Sequence, residues 1–207
     1  MTALTYPAKG IDLYAGLLSN AQLTAAQAAG EQFVIHYYGG SIGKDLTHGS
    51  AVATSTLGMW VGAVYEAGGN EPTYFSSNQG KLDAALSIRQ AASVKQPSGS
   101  AIYFAVDCGP TPAQITANIL PYFGAVAVAV RAAGFKVGAY GCGDVLTALK
   151  GVGLIDYDWL AGAMGWPGSR TYIGPAMQQY PTITLAGVGQ VDPDTAYREA
   201  GLFQVTL

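Results

Sequence analysis

Residues 129–143 read AVRAAGFKVGAYGCG. A helix-like run of small and apolar residues stops at Gly134, and the strand-like stretch KVGAYG begins two residues later. A glycine in that place takes the left-handed backbone that ends a helix without a steric cost. The same phrase occurs twice more. AAQAAG (25–30) precedes EQFVIHYYGG, and ATSTLG (53–58) precedes MWVGAVYEAGG, with Gly30 and Gly58 in the place of Gly134. Helix, glycine and strand in succession form the returning half of a β–α unit, and repetition of that unit predicts a parallel sheet covered by helices.

The helix starts agree with this reading. Ser19 or Asn20 can cap a first helix and Thr47 a second, while Thr111 followed by Pro112 is a cap with proline at the first helical position. A third helix is expected from Ser77 to Lys95, with Leu82, Ala85 and Arg89 along one side. In the fourth, Ile115, Ile119, Val126 and Val130 form one stripe, and Pro121 predicts a kink or a division into two short helices.

Four acids stand where strand-like runs end: Asp12 in GIDLYAG, Glu66 in VGAVYEAGG, Asp107 in AIYFAVDCG and Asp192 in GVGQVDPD. The chain has only 13 acidic residues in 207, so their shared position calls for a reason. Strand alternation supplies one. Tyr103, Ala105 and Asp107 fall on one face and Ile102, Phe104 and Val106 on the other. Gly10, Asp12 and Tyr14 oppose Ile11 and Leu13, and Gly62, Val64 and Glu66 oppose Val61, Ala63 and Tyr65. With bulky apolar residues toward the helices, the acids point to a barrel axis. Parallel strands in a closed barrel would bring all four to the rim where such barrels carry out catalysis.

After Gly141 the strand-like pieces YDWLAGAM, AMQQY and GVGQVD are joined by short segments rich in glycine and proline, with little room for helices. The expected fold is α/β: a single TIM-like (β/α) barrel over residues 1–207, its helices reduced in the C-terminal half. That reduction fits eight strands into a chain shorter than the roughly 250 residues usual for the fold.

Composition narrows the function. Hydrophobic residues make up 50% and charged residues 11%, ample for a large core. A net charge of −3 leaves no basic footprint for nucleic acid. The run from Val126 to Ala133 is too short for a membrane span, and the first residues lack the pattern of a secretory signal. The expectation is synthesis in the cytosol with release to the cell wall or periplasm by a phage or secretion-system route. Cys108 and Cys142 have no metal-ligand spacing and are expected as free thiols, and His36 and His48 lack spaced partners, so neither a metal nor a cofactor is expected. YGCGD and GVGQ match no phosphate-binding fingerprint.

GIDLYAG, FVIHYYGG, LGMWVGAVYEAGG, SAIYFAVD and FKVGAYG, in this order, resemble a bacterial family of glycoside-hydrolase-like barrels, formerly catalogued as a domain of unknown function and related to the family 25 lysozymes. The resemblance runs from about Lys9 to Phe203. It implies a carboxylate-lined cleft and action on peptidoglycan or a related amino-sugar polymer. It matches Asp12, Glu66 and Asp107 to the acids of the first, third and fourth strands, Gln179 and Tyr180 to a Gln-Tyr pair near the seventh, and Asp192 to an Asp of the last. The family 25 lysozymes carry Asp-x-Glu at the fourth strand, and here the residues are Asp107, Cys108 and Gly109.

Glycoside hydrolysis needs a proton donor and a second group that stabilises or attacks the anomeric carbon. Glu66 is assigned the first role and Asp107 the second, a split that can be reversed, with Asp12 and Asp192 tuning the pair or binding hydroxyls. The substrate's acetamido group can also replace one carboxylate. Tyr37, Tyr38, Tyr140 and Trp166 either line sugar subsites or pack the core and rim. Asp194 is read as a cap, Asp144, Asp156 and Asp158 as loop or cap residues, and His36 as a core or rim hydrogen-bonding group. The expected activity is that of a monomeric, muramidase-like glycosidase. The rival readings are a non-catalytic glycan-binding barrel and a barrel enzyme for a phosphorylated metabolite. The second rival needs basic support near the last strands, where GVGQVDPD is acidic.

Overall fold

A computed structural model describes residues 3–13, 16–39 and 44–206. Tyr14, Gly40 and Ser41 to Gly43 lie outside the described residues. Strands β1 (Ala8–Asp12), β2 (Phe33–Tyr38), β3 (Trp60–Tyr65), β4 (Ala101–Ala105), β5 (Lys136–Gly141), β6 (Tyr157–Leu160) and β7 (Met177–Gln179) pair in sequence order and in parallel. The barrel closes through β9 (Gly189–Ala196), which lies between β7 and β1 and runs antiparallel to both. The expectation of parallel strands throughout is therefore corrected at the last staves. The connection from β7 is the short hairpin strand β8 (Ile183–Leu185), which pairs only with β9. Without a crossover helix the chain cannot return to the barrel's start, so it enters β9 from the opposite end.

The glycine-terminated helices form where the sequence places them. Gly30, Gly58 and Gly134 have φ of 93°, 78° and 87° and follow α1 (Asn20–Ala28), α2 (His48–Thr56) and α5 (Leu120–Ala132). Ser19, Thr47 and Thr111 cap their helices through reciprocal bonds with Gln22, Ser50 and Gln114. Helix α3 spans Ser77–Val94 and buries its small side, with Ala84, Ser87 and Ala91 inward, while Leu82 is exposed. A short α4 (Pro112–Gln114), a π turn (Ile115–Ile119) and α5 run on as one stretch, so a widened turn ahead of Pro121 takes the place of the expected kink. By length and composition this stretch could cross a membrane, with a mean hydropathy of 1.5. In the fold Ile115, Ile119, Phe123, Val126 and Val130 are buried against the barrel and α3. Helix α6 (Gly143–Gly151) fills the β5–β6 crossover, and beyond it, among the described residues, only a single 3-10 turn (Ser169–Thr171) remains. The loss of helices thus begins after β6, one unit later than the sequence suggested.

Alternation sorts the strand residues into two cores. Phe33, Ile35, Val64, Tyr103, Ala105, Trp159 and Met177 pack inside the barrel. Val61, Ala63, Tyr65, Ile102, Phe104 and Val106 pack between barrel and helices. The C-terminal segment seals the end of the barrel away from the acids. Ala101 N donates to Gly201 O, Val61 N to Phe203 O and Tyr103 OH to Ala200 O. Asp158, expected in a loop, lies on β6 and points outward. It receives Lys150 Nζ and Arg198 at 3.0 Å each, together with Tyr172 OH and Ala176 N. Burial opposes its ionisation, but these donors outweigh it and hold the carboxyl below its usual range.

Candidate active site

A cavity of about 180 Å³ opens among the strand C-termini. Val64 and Ala105 form part of its lining, and Glu66, Asp107 and Asp192 supply carboxyl groups. Tyr37, Tyr140, Trp159 and Gln179 complete the wall. The register explains the convergence. Tyr37 pairs with Val64, Val64 with Tyr103, Ala105 with Tyr140 and Tyr140 with Trp159. Glu66 continues the inward face one step beyond Val64, and Asp107 continues it one step beyond Ala105. Asp192 reaches the same rim by the opposite route. In the first half of an antiparallel strand, it pairs with Asp12 at the end of β1.

Asp12 lies below the cavity wall, 1% exposed. Tyr37 OH donates to its Oδ1 at 3.2 Å and Gln179 Nε2 to its Oδ2 at 2.8 Å. Gln179 Oε1 accepts from Tyr140 OH at 2.9 Å and from Gly162 N at 3.3 Å, which fixes which end of the amide faces Asp12. Trp159 is held edge-on to Tyr140, ring centroids 4.6 Å apart, and to Tyr103 at 5.9 Å. Two phenols and an amide are thus tied to one buried carboxyl group before any ligand arrives. Close approach of the first two strands is part of the design, because a Cβ on Gly10 would stand 2.4 Å from the Phe33 ring.

The electrostatics raise the acids together. Burial raises the Glu66 carboxyl above its usual range, and the charge of Asp107 adds to it, while Lys44 pulls it back. Burial also raises Asp107. Burial pushes Asp12 up strongly, against the pull of its bond from Gln179, and Asp192 adds to the rise. Carboxyl groups whose affinities for protons are lifted toward neutrality suit proton transfer near neutral pH.

Several expected residues lie elsewhere. Tyr38 points to the helix layer, fully buried, with its OH on Gln96 Oε1 at 2.9 Å. The neighbouring Tyr37 takes the wall position, because alternation turns only one of the pair inward. Tyr180 follows the inward Gln179 and so lies on the outer face, where its OH meets that of Tyr197. Trp166 is half-buried beside Gly109 and the helix-layer core, outside the cavity lining. Asp194, read as a cap, is a barrel-interior residue 2% exposed, and its Oδ1 accepts from Trp159 Nε1 at 2.8 Å. Trp159 was overlooked, although the alternation of YDWL places it opposite the outward Asp158. His36 is buried on the outer face of β2 with Nε2 unpaired. Cys108 and Cys142 are free thiols.

Among the described residues no cluster of acidic, histidine or cysteine side chains is arranged to hold a metal ion. The wall is built instead from proton donors and acceptors, hydroxyls and aromatic faces. Such a site can transfer protons and bind a polyhydroxylated ring.

Comparison with known proteins gives the same architecture. The uncharacterized protein YbfG of Bacillus subtilis is 31% identical over 149 residues, 66% of this chain and 20% of YbfG. This chain therefore spans about a fifth of that relative's length. The Tat-secreted protein Rv2525c of Mycobacterium tuberculosis superposes with a TM-score of 0.80 at 22% identity, covering 94% of this chain and 98% of the other. A family 25 glycosyl hydrolase from Bacillus anthracis superposes with a TM-score of 0.55 at 18% identity over 94% of this chain and 90% of its own. At those identities the structural likeness speaks for the fold alone. The sequence profile described as "Rv2525c-like, glycoside hydrolase-like domain" matches residues 24–195, and the chain belongs to that family.

Proposed function

We propose that this protein is a glycoside hydrolase acting on peptidoglycan or a related amino-sugar polymer, with a muramidase-like cleavage. The observation that carries the reading is the shared cavity of Glu66 and Asp107, whose carboxyl groups are both raised and electrostatically linked. Glu66 is the proton donor, because burial and the charge of Asp107 both favour its protonated form. Asp107 is the anion that stabilises or attacks the anomeric carbon. Asp12 orders the wall through Tyr37 and Gln179, and Asp192 and Tyr140 meet sugar hydroxyls, with Trp159 offering an apolar face. The kinship of fold with a family 25 glycosyl hydrolase and with an autolysin crystallised with a synthetic peptidoglycan ligand supports the substrate class. A setting outside the cytoplasm follows by analogy with Tat-secreted Rv2525c.

One observation favours a second reading. Gly109 stands where the lysozymes have the Glu of Asp-x-Glu, so a barrel that binds glycan without cutting it is the alternative. Incubation of purified muropeptide polymer with the protein, followed by mass spectrometry, decides between them. New reducing ends are expected. Binding of polymer with no new ends would establish the alternative, and released peptides without reducing ends would point to an amidase or peptidase.

A further inference from the structure

Asp194 lies beneath the cleft, and the chemistry above makes no use of it. Across β9 it stands opposite Gly10 on β1 and opposite Gln179 on β7. It is therefore wedged between the strands that present Asp12 and the amide that holds it. Its Oδ1 is satisfied by the Trp159 indole. Its Oδ2 is buried and, among the described residues, meets no N–H or O–H. In the β1–β9 register Asp194 lies two residues beyond Asp192, the partner of Asp12, so the Asp12 and Asp194 side chains are diagonal neighbours on the inward face and their carboxyl groups interact. Both Asp12 oxygens already receive donors, from Tyr37 and Gln179.

Two neighbouring carboxylates inside a dry wall disfavour each other's ionisation, and a buried oxygen without a partner is costly. One proton on Asp194 Oδ2 removes both difficulties. The oxygen becomes a donor to Asp12, and Asp12 remains an anion with three donors around it. The reverse placement would leave Tyr37 and Gln179 donating to a neutral carboxyl group, a weaker acceptor than a carboxylate. We propose that Asp194 carries one proton shared with Asp12 and acts as a positioning residue, anchoring the carboxylate that orients Tyr37, Gln179 and Tyr140 around the cleft. The link to catalysis rests on the glycosidase reading; the shared proton does not. Other titratable groups facing the pair are Asp192 on β9, Tyr37 on β2 and Tyr140 on β5. The charge of Asp192 favours retention of the proton by raising both members.

Asp194→Asn tests this. It keeps a carbonyl for Trp159 and offers an N–H where the O–H stood, so it mimics the protonated acid. Infrared difference spectra at neutral pH, wild type against Asp194→Asn, are expected to show loss of the carbonyl band of a protonated carboxyl group. Asp194→Asn is expected to cleave polymer within a few-fold of wild type, whereas Asp194→Ala loses roughly a hundredfold through misplacement of the wall. Absence of the protonated-carboxyl band from the difference spectrum would overturn the proposal. So would an Asp194→Asn variant as impaired as Asp194→Ala. Loss of the band in a protein that cleaves no glycan supports the shared proton and counts against the glycosidase reading alone.

Discussion

Gln179 donates to Asp12 from β7 to β1 across the inside of the barrel, 2.8 Å from Nε2 to Oδ2, spanning the width of β9 between them. The contact joins residues 167 positions apart and makes the wall depend on barrel closure. Replacing Gln179 by Leu removes a donor from a buried carboxyl and leaves Tyr140 OH without its acceptor. The expected cost is about 2 kcal/mol, measured as a lower urea midpoint with an unchanged slope. Because the Gln179 bond lowers the proton affinity of Asp12, the variant should also hold a proton on the Asp12–Asp194 pair to higher pH.

Glu66 and Asp107 should each be needed for cleavage, for different reasons. Glu66→Gln removes the proton donor, and Asp107→Asn removes the stabilising charge, so each is expected to lower cleavage by about 10² to 10⁴-fold while leaving the fold intact. Circular dichroism checks the fold, and reducing-end release checks the chemistry. Full activity in both variants would end the assignment.

The same pair sets a pH dependence. Activity requires Asp107 ionised and Glu66 protonated, so the rate rises with pH through the Asp107 limb and falls through the Glu66 limb. Both groups are raised, so both limbs should lie above the ordinary carboxylate range. Removing the positive charge of Lys44 by Lys44→Met removes a group that lowers Glu66, and the alkaline limb of kcat/KM should move upward.

Much of this arrangement was legible in the sequence because it depends on two periodicities. The Gly30, Gly58 and Gly134 phrases announce β–α units, and alternation about Asp12, Glu66 and Asp107 points those acids inward. What escaped depends on pairing between distant segments. The direction of β9 is set by the β8 hairpin, and only that direction brings Asp192 to the rim and Asp194 beneath it. DPDT looks like a cap when read locally because Asp and Pro favour turns; closure against β1 and β7 puts its Asp194 in the barrel interior instead. The choice between Tyr37 and Tyr38 is hidden in the sequence for a different reason. In a strand buried on both faces, YY gives no polarity by which to choose the inward residue.

That adjacent pair offers a direct check. Tyr37→Phe removes the O–H that reaches Asp12 in the wall, and Tyr38→Phe removes one that reaches Gln96 in the helix layer. The first is expected to lower polymer cleavage and, as the loss of a donor to a buried carboxyl group, to cost about 1 to 2 kcal/mol of stability as well. The second is expected to cost about 1 kcal/mol of stability with cleavage retained. Parallel urea melts and reducing-end assays would show the two effects exchanged if alternation had been assigned to the wrong face.

His36 sets an acid limit on the fold. Its ring is buried with Nε2 unpaired, and burial lowers its pKa to about 4 from 6.5. Between those values the unfolded chain binds a proton that the native imidazole refuses. Stability from this site is thus full above pH 6.5 and is lost as pH falls toward 4. The loss amounts to about 2 kcal/mol between about pH 7 and pH 4.5. The raised acids act in the opposite sense, so total stability does not isolate the effect. The difference between wild type and His36→Met does, because a side chain of similar volume that cannot be charged removes only this contribution. Urea midpoints at the two pH values should show the variant gaining on wild type by that amount in acid. Equal pH slopes for the two proteins would mean that His36 has a proton partner in the helix layer.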